Sequence, residues 1–234
     1  MTTGGIQTRV SIHGVIFDFD GVIADTETLH LHAYQETVVR VDLSLTREAY
    51  YERYLGYDDI GVFTTLASDQ GVTLEPYQLA QLVTVKGQQL AALRGAQDVL
   101  FPGAAECIRR LASTTTLGIA SGALHAEIDE ILTEGKLSQY FSVVVGADDV
   151  ERTKPAPDAY QTAVRVVAGT AAPDWRRYVA IEDSPWGLEA ARAAGLRRIG
   201  ITNSYPAATL SDAEIVVGSL SEVDHRLLEI LSDE

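Results

Sequence analysis

Four acidic residues, Asp18, Asp20, Asp25 and Glu27, fall within the stretch FDFDGVIADTE, directly behind the apolar run VIF. An apolar strand that ends in carboxylates poses an electrostatic problem, because buried charge is very costly unless it is paired or holds a cation. Similar chemistry recurs along the chain. Ser121-Gly122 follows TTLGIA, Lys154-Pro155 follows FSVVVGADD, and Glu182-Asp183-Ser184 follows YVAI. Carboxylates, a hydroxyl beside a flexible glycine amide, an ammonium and further carboxylates are each delivered at the end of an apolar run.

The elements that must position these groups can be read from periodicity. Residues 10 to 19 (VSIHGVIFDF) read as a buried strand ending in a tight turn at Gly21. From Leu29 to about Arg94 the pattern is helical, with HLHAYQETVVR, TREAYYERYLG and PYQLAQLVTVKGQQLAALRG separated by Gly, Pro and Asp. After FPG at 101 to 103, helices (AAECIRRLA, HAEIDEILTEG, PDAYQTAVRVVAG, GLEAARAAG) alternate with strands (TTLGIAS, FSVVVGADD, YVAIEDS, RRIGIT). Such alternation with short connections predicts an α/β fold, a doubly wound parallel sheet. The helical stretch is then a small cap domain, 29–98, inserted after the first strand of a core made from 1–28 and 99–234. In open parallel sheets ligands lie outside the carboxyl ends of the strands, near the point where strand order reverses. The four groups therefore converge on one crevice.

Each group also has a plain structural role open to it. The first acids suit a solvated turn, Ser121 a helix cap, Lys154 a surface charge, and Glu182-Asp183 an N-cap favoured by the helix dipole. Their ordered placement at four strand ends favours a site.

Composition bounds the partners. The 234 residues carry 33 acids against 18 bases, a formal charge of -15, and 46% apolar residues suffice for a packed core. An acidic chain lacks the basic face that nucleic acid or an anionic membrane requires. The single cysteine, Cys107, sits in an amphipathic helical pattern and reads as an inert buried thiol in a reducing compartment. The N-terminal MTTGGIQTRV lacks a signal peptide's apolar core and no apolar run reaches about 18 residues, so a cytoplasmic location is expected. A monomer or a dimer fits this surface.

DFDGVIADTE, Ser121 after TTLGIA, Lys154 in TKPAPD, and IEDSPWG are similar, in order and spacing, to the four motifs of the haloacid dehalogenase superfamily. The insertion resembles the helical cap of its beta-phosphoglucomutase-like branch, and the likeness runs from about Val10 to about Asp224. It implies a Rossmann-like core and a phosphoryl-transfer enzyme. Asp18 takes the role of nucleophile, forming an aspartyl-phosphate that divides one hard step into two easier ones. Asp20 is the general acid and base. Two aspartates beside a phosphate dianion need a cation, and Mg²⁺ suits hard oxygen ligands with waters and substrate phosphate. The resemblance makes its ligands the Asp18 carboxylate, the Asp20 carbonyl and Asp183, with Glu182 as ligand or outer partner. Lys154, Ser121 and the Gly122 amide hold the transferring phosphoryl oxygens.

In the cap, Thr26 and His30 fall at the core junction as hinge or substrate contacts, with a helix-face role for His30 equally open. The loop YLGYDD resembles the family's substrate-selecting loop, and its Tyr54, Tyr57, Asp58 and Asp59 suit sugar hydroxyls; a solvated helix start with Asp caps is the plain alternative. His13 and Trp186 read as packing residues. No arginine follows the glycine of that loop, and Ala123-Leu124 follow Ser121-Gly122, where mutases of this branch carry polar and basic residues. Arg47, Arg53, Lys86 and Arg94 are the cap bases that could substitute. The expected activity is a magnesium-dependent phosphatase acting on a small phosphorylated metabolite, a sugar phosphate; a beta-phosphoglucomutase-like mutase is the alternative. A dehalogenase needs neither Asp20 nor the acids around Asp183, and a non-enzymatic binding protein would have lost one of the motif residues.

Overall fold

The computed structural model describes residues 11–94 and 99–233, so the strand start expected at Val10 and the expected boundary between 98 and 99 lie outside the described residues. The chain divides into two compact units, one built from residues up to Val22 and from Pro102 onward, the other from Ile23–Phe101.

The first unit begins with strand β1 (Gly14–Phe17), all four residues of which are buried. After the second unit the chain continues with α5 (Ala104–Ala112), β2 (Thr116–Ala120), α6 (His125–Glu134), β3 (Phe141–Val145) and α7 (Asp158–Ala168). It ends with β4 (Tyr178–Glu182), α8 (Pro185–Ala194), β5 (Arg197–Ile201), β6 (Ile215–Val217) and α9 (His225–Asp233). The strands form one sheet in the order β3-β2-β1-β4-β5-β6, every neighbouring pair parallel. The doubly wound parallel sheet expected from the alternation is thus present. It has one strand more than the five expected, since the β-branched Ile215-Val216-Val217 adds an edge beside β5.

A strand covered on both faces must be apolar throughout, and GVIF and YVAI meet that demand. Ile16 and Ala180 pack with Tyr160, Ala163 and Val164 of α7 and Ala190, Ala191 and Ala194 of α8 in one buried cluster. The ring of Phe17 meets Phe141 edge-on, with centroids 6.0 Å apart. Cys107 is free and buried, and burial pushes its thiol up to about 11, in keeping with an inert side chain.

The second unit is helical: α1 (Glu27–Val38), α2 (Arg47–Ala49) running into a wider π turn at Tyr50–Tyr54, α3 (Asp59–Asp69) and α4 (Pro76–Arg94). Its entering and leaving segments are tied together by an antiparallel bridge between Ala24 and Leu100. Its own core contains Leu31, Tyr34, Val38, Tyr50, Phe63 and Leu66. The Tyr34 ring meets Phe63 edge-on and Tyr50 at a tilt, at centroid distances of 5.4 and 5.8 Å. Among the described residues no helix is long and apolar enough to cross a membrane.

Phe63 has no exposed surface. Phe63→Ala is expected to destabilise the protein by about 3–5 kcal/mol, the usual cost of an emptied aromatic site, and urea unfolding measures it.

Candidate active site

Strand order reverses on either side of β1, and the crevice at the carboxyl ends of β1 and β4 receives the acids. The amide of Asp18 still pairs with the Ile181 carbonyl, at 2.9 Å, so the first acid is set by the sheet itself. Glu182 is the last residue of β4 and Asp183 the next along. One oxygen from each of Asp18, Glu182 and Asp183 lies within 4.8 Å of the others, and all three residues are buried.

Lys154 enters this group from the loop after β3, next to a cis peptide bond with Pro155. Its ammonium donates to Asp18 Oδ1 at 2.7 Å and to Glu182 Oε1 at 2.6 Å. The two acids hold the lysine charged, raising its pKa despite burial. On Asp18 the balance falls the other way: burial and the charge of Glu182 push its carboxyl up to about 7, against the opposing pull of Lys154. With its three buried carboxylates ionised against one ammonium the group carries a net negative charge, which a divalent cation fits. The donor set, all hard oxygen, fits such an ion.

Glu182 is heavily engaged. Besides Lys154 it accepts from the Tyr160 hydroxyl on Oε1 at 2.7 Å and from the Ser184 hydroxyl on Oε2 at 3.1 Å. Ser184 in turn caps α8, accepting from the Gly187 amide at 3.2 Å. A methyl group on Gly187 would run into the Glu182 carboxylate, so the helix can start this close to the acid only with glycine. These bonds suit Glu182 to the outer shell of a cation, the second of the two roles expected for it. Tyr160, wholly buried and with its ring 5.1 Å from the Lys154 ammonium, was not legible as a site residue, because an aromatic in PDAYQTAV reads as core.

Side-chain alternation along a strand would aim Asp18 and Asp20 the same way, but β1 ends at Phe17 and the chain bends at Phe19. Asp20 is therefore placed by the turn. Gly21 holds a left-handed φ of 80°, and a Cβ there would strike the Asp183 carboxylate. Asn203 secures this turn from the loop after β5, donating from Nδ2 to the Gly21 carbonyl at 2.7 Å. Asp20 also adds its charge to those raising Asp18.

Ser121 follows β2, with its amide on the Val145 carbonyl at 2.9 Å. Its Oγ accepts from the Ala123 amide at 3.1 Å, which leaves the hydroxyl proton to donate. Gly122 is exposed, and no described atom lies within 4 Å of where its Cβ would stand.

The second unit gathers a different group. Lys86, 1% exposed, lies 2.9 Å from Asp59 Oδ1 and 2.9 Å from His30 Nδ1. Asp59 also accepts from the Tyr34 hydroxyl at 2.6 Å. Asp58 caps α3, accepting from the Gly61 amide at 2.7 Å, while Tyr57 is 52% exposed. A lysine in VTVKGQQ reads as a solvated helix residue, so its buried role had no sequence signal. His13 lies 2.8 Å from Arg177, and Trp186 meets Tyr205 edge-on at 5.3 Å.

A model of the haloacid dehalogenase-like hydrolases matches residues 15–201. The chain belongs to that family and is an enzyme of the phosphoric monoester hydrolase type. The protein CbbY of Rhodobacter capsulatus is 30% identical over 203 residues, covering 84% of this chain and 88% of that relative. Phosphoglycolate phosphatase of Salmonella typhimurium is 26% identical over 239 residues, 91% of each chain. The crystal structure of CbbY from Rhodobacter sphaeroides with xylulose-1,5-bisphosphate superposes with a TM-score of 0.80 at 27% identity, covering 90% of this chain and 96% of that one.

Tyr160→Phe keeps the ring but removes one donor from a fully buried carboxylate. A loss of about 1–3 kcal/mol in unfolding free energy is expected, together with altered metal affinity; urea denaturation and metal titration check both.

Proposed function

We propose that the protein is a magnesium-dependent phosphatase that hydrolyses a small phosphorylated metabolite, specifically a sugar phosphate, through an aspartyl-phosphate on Asp18. The observation that carries this reading is the meeting of buried Asp18, Glu182 and Asp183 at the carboxyl ends of β1 and β4, with Lys154 bonded to the first two. The hydrolase family and the CbbY complex with a sugar bisphosphate support the substrate class.

Magnesium, when bound, supplies charge neutralisation for the phosphoryl oxygens, and Asp18, the Asp20 carbonyl and Asp183 would hold it, with Glu182 behind them. The protein's own groups perform the chemistry. Lys154 keeps the Asp18 carboxylate oriented, and its third N–H is left for a phosphoryl oxygen. Ser121 Oγ–H and the Gly122 amide donate to the other oxygens, so developing charge meets fixed donors. Asp18 attacks phosphorus as the ester P–O bond breaks, and Asp20 gives its proton to the departing alkoxide. Asp20 then takes a proton from water, whose oxygen attacks the phosphorus and frees Asp18.

The fate of the phosphoryl group depends on the cap bases. A mutase must grip a second phosphate, and three of the four cap bases named above have other partners. Arg53 bonds Asp69 at 2.6 Å, Arg47 lies over the Tyr51 ring at 4.8 Å, and Lys86 is buried against Asp59 and His30; the Arg94 side chain lies outside the described residues. The Asp59 charge is itself met by Lys86, and the case against the mutase rests on the commitment of these three bases. Tyr57 and Asp58 with His30 and Asp59 form the substrate-selecting group of this reading. A cytoplasmic location, no nucleic-acid or membrane partner, and a monomer or dimer complete it.

Asp18→Asn is expected to abolish turnover with the fold retained, and Asp20→Asn to lower kcat by roughly 100- to 10,000-fold. Chelation should stop the wild type and magnesium restore it; full activity in excess chelator overturns the metal's role. Incubation with a hexose 1-phosphate should release inorganic phosphate, as followed by ³¹P NMR. Faster appearance of the 6-phosphate would replace the phosphatase with the mutase.

A further inference from the structure

The loop after β2, which carries Ser121 and Gly122, and the loop after β3, which leads to Lys154, are fastened to one another by a dense set of bonds. The Ala147 amide donates to the Ala123 carbonyl at 2.8 Å, and the His125 amide to Asp148 Oδ1 at 2.8 Å. Asp149 Oδ2 accepts from the Gly146 amide at 2.8 Å and lies 2.6 Å from His125 Nδ1. The two loops approach so closely that a Cβ on Gly146 would stand 2.5 Å from the His125 nitrogen. Here His125 and Asp149 provide the side-chain clasp between them.

We propose that His125 and Asp149 are positioning residues for the phosphoryl site, clasping the Ser121–Gly122 turn to the Lys154 loop and tightening the hold on phosphate when His125 is protonated. This rests on the phosphate-binding role given above to Ser121, Gly122 and Lys154. Neither residue need touch substrate: His125 already faces Asp149 through Nδ1 and Asp129 through Nε2, the latter at 3.5 Å. The acids facing the ring are Asp149 and Asp148 from the β3 loop and Asp129 from α6. The hydrogen bond to Asp149 and these charges raise the imidazole above its ordinary 6.5, while the same bond lowers Asp149. The sign follows: the charged clasp is complete below about 6.5 and is lost as pH rises through the raised folded value.

The test uses the whole magnesium-loaded enzyme and inorganic phosphate as the titrant, in calorimetry at about pH 6 and about pH 8.5. Comparing each variant with wild type at the same pH cancels the ionisation of phosphate itself. His125→Ala and Asp149→Asn should weaken phosphate binding by roughly 3- to 10-fold at the lower pH, and by less at the higher. His125→Gln, which keeps a hydrogen-bond donor but not the charge, should match wild type at the higher pH and fall behind it at the lower. With 4-nitrophenyl phosphate, KM should rise more than kcat falls. Ser121→Ala serves as the reference for the phosphate site. If Ser121→Ala weakens binding while folded His125→Gln and Asp149→Asn match wild type at both pH values, the clasp is overturned and the phosphate site stands. If Ser121→Ala has no effect either, the site assignment fails and the clasp with it.

Discussion

Everything in the first unit is arranged around one electrostatic fact: three carboxylates are buried within a few ångströms of one ammonium. Such a group cannot be held by packing alone, because its cost in a low-dielectric interior exceeds what apolar burial of the same area returns. It is held by donors that reach it from several elements: Lys154 from the β3 loop, Tyr160 from α7 and Ser184 from the start of α8. The negative balance suits the site to the divalent cation proposed above. Burial and the charge of Glu182 push the Asp18 carboxyl up to about 7, and a bound cation would favour its ionised form, the form required by the attack proposed above.

The sheet was legible because its strands are short β-branched runs that must be apolar on both faces, and the groups of interest follow them directly. β6 was missed since three residues inside SDAEIVVGS carry too little periodicity to separate strand from loop. That β1 would stop at Phe17 and bend at Phe19, leaving Asp20 outside the strand, is something no alternation rule reports. Tyr160 and Lys86 were illegible for opposite reasons. A tyrosine in a helix is read by its ring, so its hydroxyl's partner cannot be guessed; a lysine is read by its charge, so its burial cannot be guessed. In each case the missing information is a partner distant in sequence.

The second unit shows how acids of the same appearance come to differ. Asp58 and Asp59 are adjacent, yet one satisfies the first turn of α3 and the other balances a buried lysine. Each has one carboxylate oxygen committed within its own unit, and Tyr57 is the most open member of that stretch named above. Lys86 lies 5.1 Å from the Tyr34 ring centroid, so aromatic packing and charge pairing fix the same ammonium. Changing any one of these side chains would disturb the others, which ties the YLGYDD stretch to the packing of its unit.

The sheet order has a consequence for how the chain must be made. β1 lies between β2 and β4, yet β4 is not synthesised until residues 178–182, long after β1 at 14–17. Throughout translation of the intervening residues, one side of the innermost strand has no neighbour and presents open backbone donors and acceptors, the condition that invites pairing with another chain. Asp18 waits equally long for Glu182. A nascent or truncated chain that stops before β4 would therefore be a sticky half-sheet, and partial digestion or early termination would yield material prone to aggregate rather than a smaller working enzyme.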